Sequence, residues 1–149
     1  MLAADFIASL KLSIDDTGDS ALLSGDQYES IVTRSLGKVN GYLNAHYQIT
    51  DESISPEFEP GASELIFLQS MVFIAEVMRA KVAKNYSFKS GDKSIDKTKQ
   101  ASVWADLHRD YLARLRESLK MMVPHLDDSM FLSVKSYPSP EIYEVSGDV

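Results

Sequence analysis

The chain has 149 residues, no cysteine and a formal charge of −7, with 44% hydrophobic and 25% charged side chains. That length suits one domain around one core, burying roughly two thirds of the unfolded surface, and the composition lies near the average for soluble globular proteins. Disulfides, thiolate zinc sites and cysteine nucleophiles are excluded, and a globally acidic chain is a poor non-specific DNA binder, since phosphate neutralisation needs a clustered basic face.

The opening MLAADFIASLK has no cationic region ahead of its short apolar run, so it reads as the start of a folded domain rather than a signal peptide. Phe6, Ile7 and Leu10 fall on one side of a short helix over Ala3 to Lys11. SIDDTGDSALLSGD, residues 13–26, is rich in turn and cap formers. Its Asp15, Asp16 and Asp19 lack the alternation, central glycine and terminal glutamate of a calcium loop, so capping of the next helix is the better reading.

The first long helix is predicted over Asp26 to Tyr47, with Tyr28, Ile31, Val32, Leu36, Val39, Leu43 and Tyr47 returning at steps of three and four. Gly37 and Gly41 inside it clear one face for a neighbouring helix, or are simply tolerated. QITDESISPEFEPG, residues 48–61, is acidic with two prolines and reads as a surface loop.

Ser63 is the expected cap of a second helix, apolar on nearly every face from Leu65 to Ala83, which places it centrally in a bundle or against a partner. Its apolar run is interrupted by Gln69, Ser70 and Glu76 and is too short to span a membrane. Arg79, Lys81 and Lys84 gather at its end, where cations favour the helix dipole. The stretch SFKSGDKSIDKTKQASVW, residues 87–104, then interrupts the apolar pattern with a lysine-rich polar segment. Asn85-Tyr86-Ser87 within this region matches a glycosylation sequon and is taken as chance.

A third long helix is predicted from Asp96 or Ser102 to about Val123, ended by Pro124, with Trp104, Leu107, Tyr111, Leu115, Leu119 and Met122 on its inner face. Trp104 reads as a core anchor, whose truncation would cost about 3–5 kcal/mol if buried. Asp106 with Arg109 and Asp110 with Arg114 are spaced for surface pairs. Residues 125–149 carry apolar patches at Met130, Phe131 and Leu132, at Tyr137, and at Ile142, Tyr143 and Val145, interrupted by Pro138 and Pro140. They read as an extended tail suited to docking on another chain.

Charge is segmented: residues 1–60 hold ten acidic and three basic side chains, 61–124 seven and eleven, and 125–149 five and one. Segments of opposite sign complement each other within a subunit or between copies. Chemistry leaves little trace. His46, His108 and His125 have no metal-ligand spacing, and GxxxxGK[ST], GxGxxG and GxSxG are absent, so an enzyme, a cofactor and a metal site are all disfavoured.

Three stretches carry a resemblance: IDDTGDSALL running into SGDQYESIVTRSLGKVNGYL, the apolar ELIFLQSMVFIAEVMRA, and SFKSGDKSIDKTKQASVWADLHRDYLARL, in which Gly91, Asp92, Ser94 and Asp96 precede a helix opening on Trp104 and continuing to Asp110-Tyr111. Over residues 13 to about 122 the chain resembles the head-to-tail adaptor (head-completion or connector) proteins of tailed bacteriophages. The resemblance implies a non-enzymatic helical subunit, made in the host bacterial cytoplasm and assembled in the virion neck as a ring, commonly twelvefold. Such a ring meets the portal protein on one side and a tail or stopper protein on the other, and DNA passes through it without specific binding. Residues 48–61 and 125–149 match no fixed pattern of that group.

The expectation is therefore an all-α fold, with a helical domain over 1–124 and a docking tail over 125–149. It comprises a short amino-terminal helix, three long helices and a protruding loop or hairpin. Ile31, Leu36, Leu68, Val72, Trp104, Tyr111 and Leu115 are predicted core. In a ring, Ser87 to Ile95 would form an arm, with Lys89, Asp92, Lys93, Asp96, Lys97 and Lys99 at the subunit interface. Met130, Phe131, Leu132, Tyr137, Pro138, Pro140, Ile142 and Tyr143 would dock on the portal or a neighbour. The alternative is a cellular helical interaction or regulatory module that binds its partner through the same tail.

Overall fold

The computed structural model describes residues 1–17, 21–85 and 94–124, with backbone alone for 84–85 and 94–99. Four helices and one small hairpin make up these residues: α1 (Ala3–Ser13), α2 (Gly25–Leu43), β1 (Gln48–Thr50), β2 (Ser53–Ser55), α3 (Ala62–Asn85) and α4 (Ser94–Met122). The fold is mostly helical, as the periodicities predict.

Helix α3 is the centre. Eight consecutive residues, Leu68 to Ala75, are buried, so this stretch is covered on every face. Its neighbours are α1, α2 and α4. Contacts fix the directions: Lys81 reaches back to Gln27 and Arg34 lies over Phe73, while Glu76 meets His108 and Met122 lies beside Gly61. Both α2 and α4 therefore run antiparallel to α3. The buried hydroxyls of Ser35 and Ser70 each donate to the carbonyl four residues earlier, Ile31 and Ile66, at 2.8 Å, which satisfies them without a tertiary partner.

Of the predicted core, Ile31, Leu36, Leu68, Val72 and Leu115 are buried, but Trp104 and Tyr111 are only partly so. The reason is position. Helix α4 rests almost wholly on α3, and among its described side chains only Leu115 and Leu119 are fully enclosed, whereas Trp104, Tyr111 and Leu112 are packed against the core from one side.

Helix α2 stops at Leu43, four residues before its predicted end. Asn44 takes a left-handed conformation (φ 51°) and closes the helix. The Asn40 side chain then brackets the next turn of chain, donating to the Tyr47 carbonyl and accepting from the Tyr47 N–H, both at 2.8 Å. Tyr47 is buried off the helix, edge-on to Phe58 with ring centroids 5.2 Å apart, and its hydroxyl accepts from the Glu59 N–H.

The predicted surface loop contains the hairpin. β1 and β2 pair antiparallel, with Ile49 opposite Ile54, and Asp51 and Glu52 turn the chain with φ of 49° and 63°. Positive φ at both central residues is the geometry that suits the twist of a two-residue hairpin. The amino terminus covers the outer edge of β2: Ala3 N–H donates to the Glu52 carbonyl and Ile54 N–H to the Met1 carbonyl, each at 2.9 Å. Ile54 is buried as a result.

Ser63 is not the cap of α3. Gly61, at φ 84°, supplies the carbonyl that accepts the first helical bond from Leu65, and a Cβ there would stand 2.8 Å from the Met122 sulfur. The left-handed conformation favours glycine at that position, and a larger residue would also have to push the flexible Met122 thioether aside. Gly37 and Gly41 do not admit a neighbour: no atom lies within 4 Å of a Cβ built at either.

Two stability outcomes follow. Leu119→Ala should cost about 2–5 kcal/mol and Trp104→Ala less than that despite its larger side chain, as read from urea unfolding followed by circular dichroism. Glu52→Gly, which relieves a left-handed non-glycine residue, should raise stability by up to about 1 kcal/mol, and a lowered melting temperature would show that the Glu52 side chain matters to the turn.

Candidate interaction surfaces

The segment between α1 and α2 is organised by one buried carboxylate. Asp16 is 6% exposed and accepts from the Tyr28 hydroxyl at 2.5 Å, from Leu22 N–H at 2.6 Å and from Leu23 N–H at 3.3 Å. Burial alone raises its pKa, but these three donors, with Lys11 nearby, outweigh that and hold it below the ordinary 3.8. Burial, followed by the hydrogen bond to Asp16, raises the Tyr28 pKa, so the phenol remains a donor. Lys11 lies over the Tyr28 ring, 5.2 Å from its centroid.

Asp16 thus folds the linker, while the cap of α2 is Ser24. The Ser24 hydroxyl accepts from Gln27 N–H, and the Gln27 side chain accepts from Ser24 N–H. Lys81 secures the same corner from α3, donating to the Leu22 carbonyl at 2.7 Å and to Gln27 Oε1 at 3.3 Å. Asp15 is exposed in a left-handed conformation, and Asp19 lies outside the described residues. Among the described residues no group of three or more His, Asp or Glu could hold a metal ion, and no helix is long and apolar enough to cross a membrane.

Charge divides the chain. From α1 to the approach to α3, Asp5, Asp15, Asp26, Glu29, Asp51, Glu52, Glu57 and Glu59 are exposed. The cations of that half are Lys11, Arg34 and Lys38, of which the first two lie over the rings of Tyr28 and Phe73. The opposite sign gathers where α3 ends and α4 begins: residues 79–99 hold Arg79, six lysines and two aspartates. Further along α4, Arg109 pairs with Asp106, while Arg114 lies over the Tyr111 ring rather than with Asp110 as spacing suggests.

The basic segment is also where the predicted interface falls. Lys89, Asp92 and Lys93 lie outside the described residues. Ser94 and Ile95 belong to α4 rather than to an arm, and Asp96, Lys97 and Lys99 are on its first turns, described as backbone only. Met130, Phe131, Leu132, Tyr137, Pro138, Pro140, Ile142 and Tyr143 all lie outside the described residues, as does His125. Of the other histidines, His46 is exposed, and His108 Nε2 stands 3.5 Å from Glu76 Oε1 across α3 and α4.

Sequence reasoning missed one surface. Between α3 and α4 runs a groove of about 480 Å³ lined by Glu76, Arg79, Ala80, Ala83, Ala101 and Ala105. Alanines at matching levels of two antiparallel helices are the signal for it. Against known proteins, no family model, curated protein or solved structure matches this chain.

The Asp16 cluster sets a pH dependence. A carboxyl whose pKa is lowered by folding contributes stability that is present above its unfolded pKa and lost as pH falls through the folded one. Asp16→Asn should therefore destabilise the chain by about 1–3 kcal/mol near neutral pH, with the gap to the unaltered chain closing below the ordinary carboxylate range. Parallel urea titrations from pH 7 to pH 2.5 measure it, and a gap constant with pH would remove the carboxylate from the account.

Proposed function

We propose that the chain is a structural subunit of a tailed-phage virion neck, assembling with copies of itself as a ring that joins the portal to the tail. The separation of charge carries this reading. Exposed carboxylates occupy the α1 to β2 half, and the cations are concentrated in residues 79–99. A subunit with unlike faces makes heterologous contacts, which close into a ring when the rotation permits. Electrostatic complementarity selects register and partner in such contacts more than it adds raw affinity. The resemblance of residues 13–122 to connector proteins supplies the particle in which the ring would sit.

Half-covered side chains on α4 add support. Trp104, Leu107, Tyr111 and Leu112 are partly buried, and Val103 and Met121 are 53% and 82% exposed. Apolar area left open on a long helix suits burial against another protein. Within this reading the lysines of residues 89–99 meet the acidic half of the adjacent copy, and the carboxyl-terminal segment reaches the portal or a neighbour.

Electron microscopy of the protein with its native particle tests the assignment: rings at the neck are expected, and a homogeneous virion lacking the polypeptide overturns it. Reversing Lys93→Glu and Lys97→Glu together should weaken assembly most at low salt and least at high salt. Sedimentation at several ionic strengths measures this, and unchanged assembly removes these lysines from the contact.

A further inference from the structure

Clefts of differing charge open among the described residues, and three of them bear on binding. One, between α1, α2 and the hairpin, has Glu29 and Glu52 at its edge with Lys11. A second, beside the amino terminus, has Asp5 and Glu64. The third is the groove between α3 and α4, whose charged lining is Arg79 and Glu76, the latter already facing His108. Four alanines, two on each helix, form the rest of it. The chain joining its walls, residues 84–100, contains five lysines against two aspartates.

Such a groove suits an acidic ligand with apolar side chains, since small walls admit large rings and the Arg79 cation in its lining attracts carboxylates. Residues 125–149 of this chain have that chemistry. They hold Asp127, Asp128, Glu141, Glu144 and Asp148 against Lys135 alone, interleaved with Met130, Phe131, Leu132, Tyr137, Ile142 and Tyr143. We propose that the alanine-walled groove between α3 and α4 receives the carboxyl-terminal segment of a second copy of this chain, with Met130 to Leu132 seated between Ala80, Ala83, Ala101 and Ala105.

Reach decides for a second copy over the same one. Helix α4 delivers the segment at Met122, beside Gly61 and the start of α3, while the groove lies towards the other end of both helices. From Pro124 back to Ala105 is roughly 29 Å along the helix at 1.5 Å per residue. Met130 to Leu132 lie six to eight residues beyond Pro124, which span at most about 20–29 Å when fully drawn out. The patch can touch only the near end of its own groove, and then only at full stretch, whereas a neighbouring copy is under no such limit.

The inference rests on the reading that copies of this chain meet, and names the surfaces by which they do so. The absence of cysteine makes a clean test. Full-length Ala80→Cys is mixed with full-length Leu132→Cys carrying a short tag, so that the mixed disulfide dimer runs apart from either like pair. Ala101→Cys serves as a second groove variant, and circular dichroism confirms that each variant is helical. Mixed dimers should form under mild oxidation, and their yield should fall by roughly tenfold when Arg79→Glu is added to the groove chain. A disulfide seen only within a single chain carrying both cysteines, or none with either groove variant in helical protein, overturns the proposal. Rings without the mixed disulfide would sink this contact and leave the neck assignment standing. Mixed dimers that never form rings would establish the contact and count against the neck.

Discussion

A helix with no polar face has nowhere to put water, and the rest of this fold is arranged around that constraint. From Leu68 to Ala75 every residue of α3 is buried, which requires cover from several directions at once. Helices α2 and α4 supply two of them, both antiparallel, and α1 a third. With backbone hydrogen bonds satisfied along the helix, and its buried Ser70 hydroxyl donating to the Ile66 carbonyl, this burial supplies most of the favourable free energy of folding. The polar features act at the margins, holding linkers in register against the covered helix.

Asp16 is the clearest of these. An ionised carboxylate removed from water is costly unless it is hydrogen-bonded, and three donors converge on this one. Each donor comes from residues that must be placed relative to α1: the linker at Leu22 and Leu23, and α2 at Tyr28. Asn40 plays a similar part at the far end of α2, where two hydrogen bonds to Tyr47 direct the chain into the hairpin. Lys81 ties α3 to the corner that Asp16 builds. Polar side chains here define the connections, and apolar ones the helices.

That division explains what the sequence discloses. Helical periodicity over Tyr28 to Val39 is long and regular, and the apolar run from Leu65 to Val82 is too long for a strand, so α2, α3 and their core residues are legible. The hairpin is not, because its strands have three residues each and its turn is Asp51-Glu52 in place of the Asn-Gly or Asp-Gly that such geometry favours. Ser24 and Gln27 form a recognisable S-x-x-Q pair, a cap signature visible in the sequence that points to an α2 start at Gly25. Trp104 lies on the predicted face, yet periodicity reports direction and says nothing of how many neighbours stand on that side. For the same reason the alanine groove is hidden: Ala80, Ala83, Ala101 and Ala105 acquire meaning only when antiparallel pairing sets them at one level.

Helix α4 is unevenly covered along its length. It has 29 residues, five more than α3, and it rests on that helix along one side. Among its described side chains, full enclosure comes at Leu115 and Leu119, where the far end of α4 lies against the beginning of α3. Nearer its start, Trp104 is packed against the core yet only partly buried among the described residues, so one flank of it stays open. A helix built this way is secured at one end by the subunit core and presents the other as a platform. Arg79 and the alanine groove lie on that platform, and the exposed carboxylates occupy the half built from α1, α2 and the hairpin. Two like faces could satisfy a symmetric dimer, but faces of opposite character on different parts of one subunit match only when a second copy is displaced relative to the first. In the proposed ring, the same asymmetry that leaves α4 half covered would give each subunit a donor surface and an acceptor surface.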